Sequence, residues 1–431
     1  MSAPYRIKTV VAENGERLSL LLDDVTGVPL FKPTAYILTE VRMRNRAGNT
    51  VKSHLVAIEA MLIHFKTVGI DIEQRIASGS ILELWEVDSL AGAMRVTIQE
   101  LVSRMALAGG IAPMKSPGKV TSPEALRQRA PRTEERRVDQ ASAANRMRVV
   151  HGYLCWLANH RLSRLDPQSE SFARLLAMRD MTLSAIKGRT PAKTGRASRR
   201  EGLPPEARRA LLECIRPDSP ENPWVEPAAR RRNQLMIELL YWLGLRRGEL
   251  LAIKIGDINL RDNTITIHRR PDDPDDPRPE QPTAKTLGRI MPLSWGLAQA
   301  VHCYLAERRA IRGSRRHPFL FVDTDHGRPL SIRSLSHVFS RLNERHADRL
   351  GTITAHVLRH DWNDRFSELM DRRGSSGPDE EKQRSHLMGW REGSGTAALY
   401  TKRHTRYKAT ETSLRMQERT VGEEAGNAVH E

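Results

Sequence analysis

The densest chemistry in the chain lies at His356, Val357, Leu358, Arg359 and His360. Thr354 offers an N-cap, and Trp362, Phe366 and Leu369 continue an apolar stripe at helical spacing, so the stretch opens a helix. His356 and Arg359, three apart, share one face of its first turn, with His360 beside them. A helix N-terminus carries partial positive charge and unpaired N–H groups. A guanidinium with paired donors and a protonatable imidazole would complete a face suited to the non-bridging oxygens of a phosphate. Two basic residues on a helix are more often a solvated face in a chain with 69 lysines and arginines, so this pattern needs support from elsewhere.

Two further boxes supply it. Upstream stands Leu243-Gly244-Leu245-Arg246-Arg247-Gly248-Glu249-Leu250, and downstream Gly389-Trp390 is followed by Thr396-Ala397-Ala398-Leu399-Tyr400. In this order the three boxes resemble the tyrosine recombinase (phage integrase) family. Its pattern is a Gly-Leu-Arg turn, His-x-x-Arg, a Leu-Gly-His or Leu-Gly-Trp corner and a nucleophilic tyrosine. The likeness is close over about residues 200–410 and one of layout alone over 30–190. It implies a mainly α fold with a small antiparallel β-sheet, in which a helical core-binding domain precedes an α+β catalytic domain.

Cutting a phosphodiester without a metal needs a nucleophile, an acid for the leaving 5′ oxygen, and fixed positive charge around the transition state. The resemblance assigns attack to Tyr400, forming a 3′-phosphotyrosyl bond. It gives the non-bridging oxygens to Arg246 and Arg359, with added hydrogen bonds from His356 and Trp390. Lys285, placed just before the third expected strand, matches the family's β-hairpin lysine and would be the general acid, with Arg289 as a local rival. Glu249 falls where the family has an acidic residue that orients the arginine turn, although it could equally pair with Arg247. His360 matches a supporting histidine or lysine. An indole N–H can donate to a phosphate as the family's histidine does, though it cannot shuttle a proton. One departure stands out: the family commonly places the tyrosine nine residues after the His or Trp, and here Trp390 and Tyr400 are ten apart, with Gly393 and Gly395 available to absorb the difference.

The elements that must hold these residues follow from patterning. Residues 5–23 alternate around Asn14-Gly15 and read as a β-hairpin, an arm-like extension over 1–30. A helical core-binding domain is expected over 31–186, with helices from Pro33 to about Phe65, Leu90 to Leu107, Ala141 to Ala158 and Glu170 to Ile186. Lys187, Arg189, Lys193, Arg196, Arg199 and Arg200 then form a basic linker over 187–202 without an acidic residue, read as a strap along DNA phosphates. The catalytic domain is expected over 203–410 and a tail over 411–431. Within that domain Leu235, Leu239 and Trp242 line a helix that stops at Gly244. Ile253 to Ile258, Thr264 to Ile267 and Arg289 to Leu293 read as three strands, with an acidic, proline-rich excursion from Pro271 to Pro282. Helix follows to about Glu418, interrupted by a loop at Arg372 to Glu381.

A chain of 431 residues is long enough for two or three domains, and its formal charge of +17 points to a polyanionic partner. The start has no apolar signal region and the longest apolar run is short, so a cytoplasmic, nucleoid-associated protein without a membrane span is expected. Cys155, Cys214 and Cys303 are scattered and read as buried reduced thiols, not metal ligands.

The resemblance implies double-stranded DNA as partner and a homotetramer on two DNA segments, alone or with other recombinase subunits, and no cofactor. A type IB topoisomerase-like enzyme shares the same catalytic residues, and a catalytically inactive DNA-binding relative remains a further reading. A basic RNA-binding protein fits poorly, because aromatics are only 5% of the chain. With arginines and a lysine supplying the charge that Mg²⁺ provides elsewhere, DNA cleavage should survive excess EDTA. Complete loss in chelator, with recovery on adding Mg²⁺, would remove this mechanism.

Overall fold

The structure is a computed structural model and describes residues 3–44, 48–109, 136–192, 202–282, 286–375, 377–398 and 400. It divides into two compact units, Met1–Ala12 with Arg17–Arg196, and Glu13–Glu16 with Ala197–Glu431. The fold is mainly α, with two small antiparallel sheets.

The first unit starts with the expected hairpin. Strands β1 (Tyr5–Val11) and β2 (Arg17–Asp23) pair with Tyr5 opposite Asp23 and Val11 opposite Arg17. Leu21 is fully buried in the helical core and Tyr5 and Ile7 pack against it, so the two strands are packed onto this unit. Helix α1 (Phe31–Tyr36) runs into a π-helical stretch, Ile37–Arg42, before α2 (Gly48–Val68), so the helix read as continuous from Pro33 to Phe65 is interrupted. There follow α3 (Ile72–Ala77), α4 (Leu84–Ala93), α5 (Ile98–Gly109), α6 (Gln140–Leu162) and α7 (Glu170–Arg189). Val51, Leu55 and Ile58 of α2 are buried and meet Val150 and Leu154 of α6 in the same core, with Leu62 partly buried against it.

Lys187 and Arg189 belong to the last turn of α7, not to a linker. Arg189 forms an ion pair with Asp88 of α4, its Nη2 lying 3.1 Å from Oδ2, which removes it from the phosphate strap. Lys193, Arg196, Arg199 and Arg200 lie outside the described residues.

The second unit carries α8 (Pro205–Cys214), α9 (Pro227–Leu243), α10 (Arg247–Ala252), β3 (Ile258–Asn259), β4 (Thr264–Ile267), β5 (Arg289–Pro292), α11 (Trp295–Ala310), α12 (Ile332–Leu350), α13 (Ala355–Arg372) and α14 (Gly377–Met388). Proline opens both α8 and α9, where its missing N–H costs nothing. The sheet is a β3-β4-β5 meander with Ile258 opposite Ile265 and Ile265 opposite Met291. Its inward residues Ile265, Ile267 and Met291 join Leu239, Leu240, Val301, Leu342 and Leu358 in one core.

Four expectations for this unit change. The strand read from Ile253 is only Ile258–Asn259, because Asp257 draws the chain into a single 3₁₀ turn by accepting from the Lys254 N–H at 2.8 Å. The segment 311–331 holds only a single 3₁₀ turn, Ser314–Arg316, and no α-helix; Lys254 pairs with Phe319 and Val322 with Pro329 as isolated bridges. Helix α14 already begins at Gly377, so the loop expected to Glu381 is shorter. Trp242 is exposed on α9, its carbonyl accepting from Trp362 Nε1 at 2.9 Å.

The acidic excursion is pinned down. Arg278 donates to Asp276 twice at 2.8 Å and to the Leu251 and Leu330 carbonyls, while Lys254 Nζ lies 2.8 Å from Asp273 and 2.7 Å from Asp275. Of the cysteines only Cys214 is buried; Cys303 is exposed. Among the described residues no helix is long and apolar enough to cross a membrane.

Gly244 caps α9 in the left-handed conformation at φ 59°, and a Cβ there would stand 2.9 Å from Met388 Cε and from Trp362 Cγ. Gly244→Ala should therefore cost about 2 kcal/mol or more from backbone strain and overlap together. Gly256→Ala, where a Cβ meets nothing within 4 Å, should stay within about 0.5 kcal/mol. Equal denaturant midpoints for the two variants would show that the turn tolerates a side chain.

Candidate active site

The left-handed turn at Gly244 delivers Arg246 to the N-cap of α10 in an extended conformation. Three residues on, Glu249 is 1% exposed, and its carboxylate gathers donors from several elements. It accepts from the Arg246 N–H at 3.1 Å and Arg246 Nη1 at 3.2 Å, from Thr286 Oγ1 at 2.5 Å and from Arg289 Nη2 at 2.8 Å. Arg359 Nη1 stands 3.9 Å away. Burial alone would raise the carboxyl, but Arg289, Arg359 and these hydrogen bonds outweigh it and hold Glu249 down at about 2.

Thr354 caps α13 as its type predicts, accepting from the Val357 N–H at 3.2 Å. Arg359 is 3% exposed and wedged between elements, Nη1 donating to the Gly244 carbonyl at 2.6 Å and Nη2 to that of Met388 at 3.3 Å. Burial and the neighbouring Arg246 push its guanidinium down to about 9, which leaves it cationic at neutral pH. One turn apart, the Nε2 atoms of exposed His356 and half-buried His360 lie 3.0 Å from each other. One must donate and the other accept, so the pair shares a proton between those atoms.

At the C-terminus of α14, Gly389 turns the chain at φ 64° and its carbonyl accepts from the Leu287 N–H at 2.9 Å. Trp390 follows, its indole stacked on the Tyr400 ring at 5.5 Å and 14°. The ten-residue spacing is absorbed between them by Gly393 and Gly395, both left-handed, at φ 72° and 70°. Arg359 Cζ lies 5.4 Å from the Trp390 ring and the His360 ring 5.6 Å from that of Tyr400. The Trp390 Nε1 is buried and has no hydrogen-bond partner among the described residues. Burial raises the Tyr400 phenol above its ordinary value, as does Asp364; Arg359, Arg246 and Arg384 pull it back.

Seven of the sequence-predicted residues thus converge: Arg246, Glu249, His356, Arg359, His360, Trp390 and Tyr400. Lys285 lies outside the described residues, as does Tyr407, the next tyrosine after Tyr400. Arg289 is no rival for its role, since its guanidinium is buried against Glu249 and donates from Nε to the Leu387 carbonyl at 2.6 Å. Glu249 pairs with Arg246 and Arg289, not with exposed Arg247.

Sequence reasoning missed Thr286, Arg289 and Arg384 as parts of this assembly. Arg384 is fully buried, donates to the Asn363 carbonyl and Oδ1 at 2.9 and 3.0 Å and to Ser367 at 2.6 Å, pairs with Glu380, and has Cζ 5.7 Å from the Tyr400 ring. A Glu380-to-Arg384 spacing of four on a helix was the available signal. Among the described residues no group of three or more His, Cys, Asp or Glu side chains is placed to hold a metal ion.

Residues 225–406 match the model of the family described as phage integrase family. The likeness to that family is a property of this segment. Tyrosine recombinase XerC of Bacillus subtilis (strain 168) is 27% identical over 139 residues, 32% of this chain and 40% of its own. Tyrosine recombinase XerD of Halalkalibacterium halodurans is 30% identical over 138 residues, 30% of this chain and 39% of its own. The chain therefore spans about two fifths of the length of these curated relatives. A solved structure of the Tn1549 transposon integrase in complex with transposon right end DNA aligns over 89% of this chain and 100% of that one, at 14% identity and a TM-score of 0.48. All three boxes of the resemblance fall inside the phage integrase segment, as does the whole Glu249 cluster.

With its folded value held near 2 against an ordinary 4.5, Glu249 stabilises the fold fully above pH 4.5, and that contribution is lost as pH falls through 2. The difference is about 3 kcal/mol. The stability gap between wild type and Glu249→Gln should accordingly shrink by about that amount between pH 6 and pH 2. A gap that stays constant over the range would show that Glu249 is not held ionised by its neighbours.

Proposed function

We propose that this chain is a site-specific DNA recombinase of the integrase or transposase type, which cuts and rejoins strands through a 3′-phosphotyrosyl intermediate. The reading rests above all on one juxtaposition: Tyr400 stacked on Trp390, whose buried N–H lacks an acceptor and whose ring lies beside the Arg359 guanidinium. A nucleophile, an orphan donor and a fixed cation in one place are what an incoming phosphate needs.

In the proposed reaction Tyr400 gives up its phenol proton and attacks phosphorus, and the bond to the 5′ oxygen breaks. Arg246 and Arg359 neutralise the non-bridging oxygens as charge develops there, and His356 and Trp390 add hydrogen bonds to them. Glu249 holds Arg246 and Arg359 in register. Lys285 protonates the departing 5′ oxygen. Because the phosphotyrosyl bond keeps the energy of the original ester, a 5′ hydroxyl from a second duplex reverses the step and joins the partners. No metal or cofactor enters this scheme, and the active assembly is a homotetramer on two DNA segments.

On a nicked duplex drawn from the DNA flanking its own gene, wild-type protein should become covalently attached, with the adduct mapping to Tyr400. Tyr400→Phe removes only the hydroxyl and should abolish attachment while leaving the melting temperature and DNA binding unchanged; Tyr407→Phe should still attach. A phosphotyrosyl peptide containing Tyr407 would overturn the assignment. Attachment without any joining of two partner duplexes would place the chain with type IB topoisomerase-like enzymes instead.

A further inference from the structure

A second concentration of positive charge in the catalytic unit is not used by this chemistry. Between the end of α11 and the bridge at Phe319 the chain gathers Arg308, Arg309, Arg312, Arg315 and Arg316 within nine residues. Arg308, Arg309, Arg315, Arg316 and His317, with Ile255, line a cavity of about 720 Å³, and no carboxylate lines it. Arg308 is 2% exposed and forms its floor. Its Nε donates to the Phe319 and Leu320 carbonyls at 3.0 and 3.1 Å, and its Nη2 to those of Ser314 and His317 at 2.7 and 3.0 Å.

The loop above it is equally fixed. Ser314 is fully buried and donates to the Arg308 carbonyl at 2.7 Å. Gly313 and Gly327 are left-handed, and a Cβ on either would come within 2.4 Å of the backbone of the other's turn, so the two turns are packed together. His317 Nε2 ties the same loop to the Gly327 carbonyl at 2.7 Å. By contrast the side chains of Arg309, Arg312, Arg315 and Arg316 are exposed and make no ion pair or hydrogen bond among the described residues.

Like charges held around a concave space repel one another, and the same geometry focuses the field onto an anion that enters it. Guanidinium groups suit phosphate in particular, because each can present two donors to two oxygens. Ile255 lies three residues beyond the C-terminus of α10, whereas Arg246 caps its N-terminus. That helix of six residues rises about 9 Å. A phosphate seated here is therefore not the one that meets Tyr400.

We propose that the Arg308–Arg316 cavity is a second polyanion seat, which holds the phosphate backbone of duplex DNA at a distance from the bond that is cut. The choice of DNA among polyanions rests on the function proposed above; the charge complementarity does not. The test uses the full chain with Arg309→Ser, Arg315→Ser and Arg316→Ser combined, beside the corresponding triple lysine variant, and follows binding of a random-sequence 30-base-pair duplex across salt concentrations. The serine variant should bind at least tenfold more weakly at low salt, with a log–log salt dependence shallower by roughly 0.9 per lost phosphate contact, about 2 to 3 in all. The lysine variant should keep the wild-type slope. An unchanged slope in the serine variant overturns the seat, and so does binding of polyglutamate that competes for these arginines while duplex does not. Covalent attachment to the nicked duplex is scored separately: a shallower slope with no adduct from wild type would leave the seat standing and sink the recombinase reading.

Discussion

Buried like charges need a counter-charge, and at the candidate site one carboxylate supplies it. Glu249 stands within reach of Arg246, Arg289 and Arg359, which come from the cap of α10, from β5 and from α13. Arg289 and Arg359 have almost no exposure, and each would cost several kcal/mol if left alone in the interior. Glu249 makes it possible for both to be there, and in doing so sets the mutual positions of three elements far apart in sequence. The candidate site is thus held from behind by its own counter-ion, while Arg246 keeps a partly exposed guanidinium at the front.

What could be read from the sequence was local. Thr354 as a cap, Gly244 as a left-handed stop and the Asn14-Gly15 turn are signals contained within a few residues, because a cap or a positive φ is decided by the neighbouring backbone. The partners of Glu249 were not legible, since local spacing offers Arg247 while the fold supplies Arg289 and Arg359, 40 and 110 residues downstream. The strand expected from Ile253 failed for a related reason. Its alternating isoleucines satisfy a strand pattern, yet the carboxylate of Asp257 closes a turn on Lys254 before a ladder can form. Likewise 311–331 holds no α-helix, because glycines at 313 and 327 are left-handed where they pack against each other, a constraint visible only in three dimensions.

Arginine content was the most misleading quantity. Arg232, Arg278, Arg308 and Arg384 are buried and tie down carbonyls or side chains of distant segments, Arg232 reaching the Val322 carbonyl at 3.0 Å and Arg278 those of Leu251 and Leu330. A planar guanidinium with five donors and weak hydration suits this internal role better than lysine would. A formal charge of +17 therefore mixes cations that face a polyanion with cations that serve as struts, and the sum cannot separate them.

The unpartnered indole N–H of Trp390 has a thermodynamic counterpart. A buried donor without an acceptor costs the folded state about 1–3 kcal/mol, and any oxygen that docks against it returns that amount. Binding and folding are linked through this one atom: in the proposed reaction a phosphate oxygen that accepts from it adds that amount to the stability of the fold, and gives it up again on leaving.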